Sequence, residues 1–127
     1  MTSRHVALWI DHYEARLFQV SREGFDESTI HAPHQRIHRH PRGSEGSKSH
    51  SDDAHRFFHD VTQVLASAEE ILVLGPSTAK LEFIRYAQKH AEPVCACIIG
   101  IETVDHPTDP QIAAYAKRYF EAADRMR

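Results

Sequence analysis

The chain has 127 residues, a net charge of −3 and 41% hydrophobic residues. That length fits one domain, here 1–127, with a core large enough to fold without disulfides or metals. No apolar run is long enough to cross a membrane, and the first residues lack the apolar stretch of a signal peptide. The sequence therefore predicts a cytoplasmic protein without a membrane partner.

The charge is unevenly distributed along the chain. Residues 31–50 hold five of the eleven histidines and one acid, Glu45, together with four cationic side chains: Arg36, Arg39, Arg42 and Lys48. This segment carries +3, so the remainder carries −6. A basic, pH-sensitive segment attached to an acidic body predicts contact with phosphates, without sequence-specific readout.

The N-terminal part predicts two successive β-hairpins. Residues 5–10 are apolar, 15–20 alternate between apolar and polar, and 27–34 form a weaker third strand, with turns between them. From 36 to 51 the chain has little apolar content, which predicts a long flexible loop.

The C-terminal part alternates helices with strands. A helix capped by Ser49 or Ser51 has its apolar face at 57, 58, 61, 64, 65 and 68, followed by a strand at 70–74 and a helix at 77–90. A last strand is predicted at 94–104, with a bulge at Gly100 and with Cys95 and Cys97 as buried thiols on one face. Thr108 and Gln111 form a capping box for the final helix.

This order predicts an α/β, ribonuclease-H-like three-layer fold. Its mixed five-stranded sheet has the order 3-2-1-4-5, with strand 2 antiparallel to the others. Strands 1, 4 and 5 then end on one edge, where ligands bind in open α/β sheets.

The polar residues that this topology brings to that edge form the predicted site. They are Asp11, His12, Gly75, Ser77, Thr78, Lys80, Asp105, His106, Thr108 and Asp109. The turn at 75–80 has the parts of an anion site at a helix N-terminus. Asp11, Asp105 and His106 offer the ligands of a metal-dependent hydrolase of phosphoesters. The same residues also fit ordinary turns and helix caps. The sequence assigns no cofactor, no resident metal and no catalytic nucleophile.

Three segments resemble a known family. The runs at 7–16, 72–80 and 102–109 are similar to bacterial proteins related to the central domain of archaeal and eukaryotic class 1 peptide chain release factors. Some of these are called translational machinery proteins, and host-attachment proteins look like their relatives. The resemblance implies a ribonuclease-H-like fold and a setting at the ribosome or on tRNA. It does not imply termination activity, because the family's Gly-Gly-Gln tripeptide is absent and 43–47 reads Gly-Ser-Glu-Gly-Ser.

The sequence thus favours a non-enzymatic RNA- or ribosome-associated module. Two alternatives stay open. One is the metal-dependent phosphoester hydrolase at the carboxyl edge. The other is a protein-interaction domain, since an exposed third strand could pair with a second copy to give a homodimer.

Overall fold

The computed structural model describes residues 4–33 and 43–126, and their side chains except those of 43–51. Along the chain, its elements are β1 (His5–Ile10), β2 (Glu14–Ser21), β3 (Gly24–His31), α1 (Gly43–Leu65), β4 (Glu70–Gly75), α2 (Ala79–His90), α3 (Glu92–Ala96), β5 (Ile98–Thr103) and α4 (Asp109–Arg125).

The sheet has the predicted order, β3-β2-β1-β4-β5. Strand β2 is antiparallel to β1 and β3, whereas β1 runs parallel to β4, and β4 parallel to β5. The carboxyl ends of β1, β4 and β5 therefore share one edge, as the sequence predicts. The amino ends of β1 and β4 share the opposite edge, where His5 pairs with Glu70.

Two apolar cores lie on the two faces of this sheet. Alternate residues of β1 point to opposite faces, as in any strand. Val6, Leu8 and Ile10 pack with helices α1 and α2, while Ala7 and Trp9 pack with helix α4. Strand β4 is buried throughout, because helices cover both of its faces. The result is the predicted three-layer arrangement.

The prediction of a loop over 36–51 is corrected in part by helix α1. It begins at Gly43, so the backbone of residues 43–51 is helical where the sequence predicts irregular chain. Apart from Gly43 and Gly46, the residues of this stretch carry only small helical penalties, so a helix nucleated in the apolar stretch beyond 52 extends backwards through them. The rest of the predicted loop, residues 36–42, lies outside the described residues.

The strand predicted at 94–104 is also corrected. Residues Glu92–Ala96 form the short helix α3, and β5 begins only at Ile98. An apolar run does not by itself distinguish helix from strand. Pro93 fits the first turn of a helix, because its missing N–H needs no partner there. Cys95 and Cys97 are therefore half-buried free thiols in and after α3, not neighbours on a strand.

The bulge predicted at Gly100 is present. Ile71 pairs with Ile98 and Leu72 pairs with Gly100, which leaves Ile99 as the extra residue on β5. A Cβ atom at Gly100 would overlap the hydroxyl of Tyr119, so this position accommodates α4 as well as the bulge.

Strand β3 occupies residues Gly24–His31, three positions earlier than predicted, and is exposed along nearly its whole length. It is one edge of the sheet, and pairing with a second copy there stays a prediction. No helix within the described ranges has the length and apolar character needed to span a membrane.

Candidate functional site at the carboxyl edge

The turns after β1 and β5 meet at the carboxyl edge of the sheet. Nε2 of His106 lies 3.7 Å from Oδ2 of Asp11, although the two residues are 95 positions apart in the chain. The sequence-predicted juxtaposition of these turns is therefore present in the structure.

Asp11 first of all closes the hairpin between β1 and β2. Its Oδ1 accepts hydrogen bonds from the backbone N–H groups of Tyr13 at 2.8 Å and Glu14 at 2.9 Å. This arrangement is an Asx turn, which satisfies two backbone donors as the chain reverses. Only Oδ2, on the side chain's remaining face, is directed at His106.

His106 lies between two carboxylates. Its Nδ1 is 2.8 Å from Oδ1 of Asp105, while its Nε2 faces Asp11. The ring also packs at 5.0 Å from the ring of Trp9, whose Nε1 donates to the backbone oxygen of Asp105 at 2.8 Å. These contacts fix the turn after β5 against the end of β1.

This arrangement does not favour the predicted metal-dependent hydrolase. A metal ion needs ligand atoms that converge on one point, but the two nitrogens of His106 point to different aspartates. In the part of the chain that the structure describes, ligand atoms of three His, Cys, Asp or Glu residues converge only at the opposite edge. The carboxyl edge thus contains an aspartate–histidine–aspartate chain that holds two turns together.

Arg16 belongs to this edge, although the sequence analysis does not select it. Its guanidinium lies 4.4 Å from the centre of the Trp9 ring, and its Nη1 donates to Oδ1 of Asp109 at 2.6 Å. Because Trp9 and Arg16 are register partners on β1 and β2, they share one face of the sheet. Pairing β1 with β2 residue by residue in the sequence could therefore have identified Arg16 as a residue of this edge.

The turn after β4 is less open to ligands than predicted. Gly75 is needed for packing, since a Cβ atom there would overlap the backbone oxygen of Ile10. Lys80 is only 6% exposed and donates from Nζ to the backbone oxygen of Ser77 at 2.8 Å. The side chain thus folds back onto its own turn, and an anion site that uses Lys80 stays a prediction.

The N-terminus of α2 already has an acidic partner. Glu82 lies in its first turn and accepts a hydrogen bond from the hydroxyl of Thr78 at 3.1 Å. His12 approaches the same carboxylate at 3.2 Å. A carboxylate at this position interacts favourably with the helix dipole and would repel a second anion.

The N-terminus of α4 has the predicted capping box. Oγ1 of Thr108 accepts from the N–H of Gln111, and Oε1 of Gln111 accepts from the N–H of Thr108 at 2.9 Å. Asp109 lies in the first turn and pairs with Arg16. These residues act as a helix cap and an inter-element tether.

Arg36, Arg39 and Arg42 lie outside the described residues. Lys48 lies within α1 by its backbone, and its side chain is not described.

A groove between α1 and α2 adds residues that sequence reasoning missed. It encloses about 280 Å³ and is lined by aromatic, cationic and acidic side chains: His55, Phe58, Glu82, Arg85, Tyr86, Lys89 and His90. The ring of Tyr86 lies 4.6 Å from that of His90 and 5.4 Å from that of His55. The available signal was the four-residue spacing of Arg85 with Lys89 and of Tyr86 with His90, which places each pair on one helix face.

Tyr115 of α4 contacts the sheet through its hydroxyl, and its pKa is raised there. Its hydroxyl donates to Oε1 of Glu102 at 2.5 Å. This hydrogen bond, burial and the negative charge of Glu102 raise the pKa of Tyr115 to about 12. The pair connects α4 to β5.

The sheet order and the helices on both faces of the sheet also occur in solved structures of release-factor-like translation proteins, and this likeness is one of fold. No protein-family model matches the chain, and no curated protein does so either. Solved structures do match.

The Pelota protein of Archaeoglobus fulgidus has a TM-score of 0.62 and 17% identity over 92% of this chain, which corresponds to 32% of Pelota. The archaeal translation termination factor aRF1 has a TM-score of 0.59 and 12% identity over 94% of this chain and 39% of its own. Dom34 of S. cerevisiae has a TM-score of 0.50 and 9% identity over 97% of this chain and 39% of its own. This chain therefore spans between 32% and 39% of the length of these proteins, and its fold is the one that the resemblance implies.

Proposed function

We propose that this chain is a translation-related module that contacts RNA through the α1 and α2 side of its sheet. The observation that carries the proposal is the groove between α1 and α2, which is lined by aromatic and cationic side chains together with one acid, Glu82. Single-stranded RNA is bound by such surfaces, since bases stack on aromatic rings and phosphates pair with Lys and Arg.

The basic segment extends this surface in the sequence. Arg42 immediately precedes α1, and Lys48 lies seven residues before His55 of the groove. Seven helical residues span about 10 Å, so the backbone position of Lys48 lies about that far along α1 from His55. We propose that the other cations of the segment contact the same RNA. Four cations and the neighbouring histidines would contact phosphates, while Tyr86 and His90 would stack against bases.

The fold supports a setting in translation. Dom34, one of the structures of similar fold, is described as a translation termination-like factor involved in RNA quality control and interacting with Hbs1. By analogy we propose the ribosome or tRNA as the source of the RNA, and the cytoplasm as the location. Hydrolysis of peptidyl-tRNA is not part of the proposal, because the chain contains no Gly-Gly-Gln.

The test is binding of the full chain to tRNA and to a single-stranded RNA over a salt series, followed by fluorescence anisotropy. The logarithm of the affinity is expected to fall linearly with the logarithm of salt, with a slope of about −0.7 for each phosphate contacted on a single strand. A salt-independent affinity, or no binding at low salt, would contradict the proposal. Cosedimentation with ribosomes then tests whether the chain associates with the ribosome.

Two variants separate the parts of the surface. Replacing Arg36, Arg39, Arg42 and Lys48 by Gln should weaken binding and flatten the salt slope. Tyr86→Leu should weaken binding by about 1–3 kcal/mol for a stacked base, with the slope unchanged. The matched control replaces Lys117 and Arg118 by Gln. These two cations lie on α4, across the sheet, and their loss should leave RNA binding unaltered.

A role as a protein-interaction domain is the second candidate, favoured by the exposure of β3 at the sheet edge. An added strand there would complete a ladder of backbone hydrogen bonds. Sedimentation equilibrium tests the homodimer that this implies, and a monomer at all concentrations would exclude it.

A further inference from the structure

Three potential metal ligands converge at the amino edge of the sheet, opposite the carboxyl edge. They are His5, the first residue of β1, Glu70, the first residue of β4, and Asp124, near the end of α4. Nε2 of His5 lies 3.1 Å from Oε1 of Glu70 and 3.7 Å from Oδ2 of Asp124. The three ligand atoms all lie within 4.8 Å of one another.

These separations suit a shared metal ion. Ligand atoms bound at about 2.0–2.2 Å to a tetrahedral zinc ion lie roughly 3.3–3.6 Å apart. The two distances from Nε2 bracket that range. Nε2 itself is shielded from solvent and has no hydrogen-bond partner of acceptable geometry, although it faces two carboxylates. In the tautomer that carries its proton on Nδ1, this nitrogen presents its lone pair to a cation.

The surrounding structure holds the ligands in place. His5 and Glu70 are register partners on parallel strands, and the N–H of Glu70 donates to the backbone oxygen of Arg4 at 2.8 Å. The His5 ring stacks on Phe120 of α4 at 4.5 Å, which orients its nitrogen. Asp124 follows Phe120 by one helical turn, which brings its carboxylate to the same imidazole.

We propose that His5, Glu70 and Asp124 form a binding site for a divalent transition-metal ion of the zinc type. A neutral imidazole and two carboxylates provide mixed nitrogen and oxygen donors and a charge of −2, which balances the ion. His5 and Asp124 also line a cavity of about 320 Å³, with Arg22, Lys117 and Glu121 around it. The cavity gives the ion a path of entry and leaves room for a water molecule as fourth ligand. The bound ion would tie the end of α4 to the sheet.

The test uses the untagged full chain after treatment with a chelator. Co²⁺ is added and followed by its visible absorption, and Zn²⁺ binding is measured by calorimetry. One equivalent of metal is expected, with the tetrahedral spectrum of Co²⁺ and a higher Tm in the presence of Zn²⁺. Asp124→Asn should weaken binding by about tenfold or more, because it removes one anionic ligand. His5→Gln should abolish it.

His38 and His40 form a second candidate ligand pair in the sequence, so a His38→Gln, His40→Gln double variant serves as the control and should keep full affinity. The proposal is overturned if no metal binds, or if Asp124→Asn and His5→Gln bind as the original chain does. It is also overturned if only lower pH, and not metal, raises the Tm, since His5 would then be a protonated partner of the two carboxylates. Asp124 is 41% exposed, so its variant decides the question even if His5→Gln fails to fold.

Discussion

Among the residues that the structure describes, Tyr115 is the one whose surroundings change its pKa most clearly. The hydroxyl has Glu102 as its hydrogen-bond acceptor, so ionisation would place two negative charges side by side. The folded chain therefore holds this proton more tightly than an unfolded chain does, where the pKa of tyrosine is 10.0. Its contribution to the free energy of unfolding is complete below pH 10 and is lost as the pH rises towards 12.

Removing this hydroxyl should change the alkaline stability profile. In Tyr115→Phe, the free energy of unfolding should fall less steeply between pH 10 and pH 12 than in the original chain. Urea denaturation at a series of pH values measures this, and absorbance of the phenolate should show the loss of the last ionisation phase. Tyr13→Phe, at an exposed turn, is the control and should retain that phase. Identical profiles for the two variants would refute the assignment.

At the scale of the element, helices α2 and α4 begin in different ways. Thr108 caps α4 through a reciprocal capping box with Gln111. Thr78 stands at the same position of α2, but its hydroxyl makes no hydrogen bond to the helix backbone and instead donates to Glu82. The two threonines form a natural matched pair for measuring what a side-chain cap contributes.

The capping box should make Thr108 the more costly of the two to replace. Thr108→Ala is expected to lower the free energy of unfolding by about 1 kcal/mol, because the N–H of Gln111 loses its acceptor. Thr78→Ala should stay within about 0.5 kcal/mol, as is usual for exposed positions. Chemical denaturation of both variants checks the difference, and equal losses would argue against a role for the box.

At the scale of the whole molecule, Arg16 connects three elements across the α4 side of the sheet. It extends from β2, lies over Trp9 of β1 and pairs with Asp109 at the start of α4. Its side chain is only 15% exposed, so these interactions are poorly screened by solvent.

Arg16→Met should remove the charge while keeping much of the apolar stem. We expect a loss of about 1–3 kcal/mol in the free energy of unfolding, from the charged hydrogen bond and the cation–π contact. Hydrogen exchange should also become faster in the first turn of α4. Arg4→Met is the matched control, because Arg4 pairs with Glu69 at the exposed surface and should contribute about 0.5 kcal/mol or less. Equal losses for the two variants would contradict the tether.

Local sequence patterns predicted much of the fold. Apolar residues at strand or helix spacing predicted β1, β2 and β4 and the helices α2 and α4. The short right-handed connections then predicted the order of the strands in the sheet. The box at Thr108 was readable because both of its partners lie within four residues. By contrast, the apolar residues from 94 onwards predicted a strand over 94–104, although residues 94–96 form the end of α3.

The sequence by itself determined the order of the elements, the edge on which the polar turns meet and the cap of the last helix, because these depend on periodicity and neighbouring residues. The tertiary structure alone decided that Lys80 folds inward, that Arg16 covers Trp9 and that His5, Glu70 and Asp124 converge. These contacts join residues that are distant in the chain or depend on one rotamer. They follow from strand register and helix packing, which no short stretch of sequence specifies.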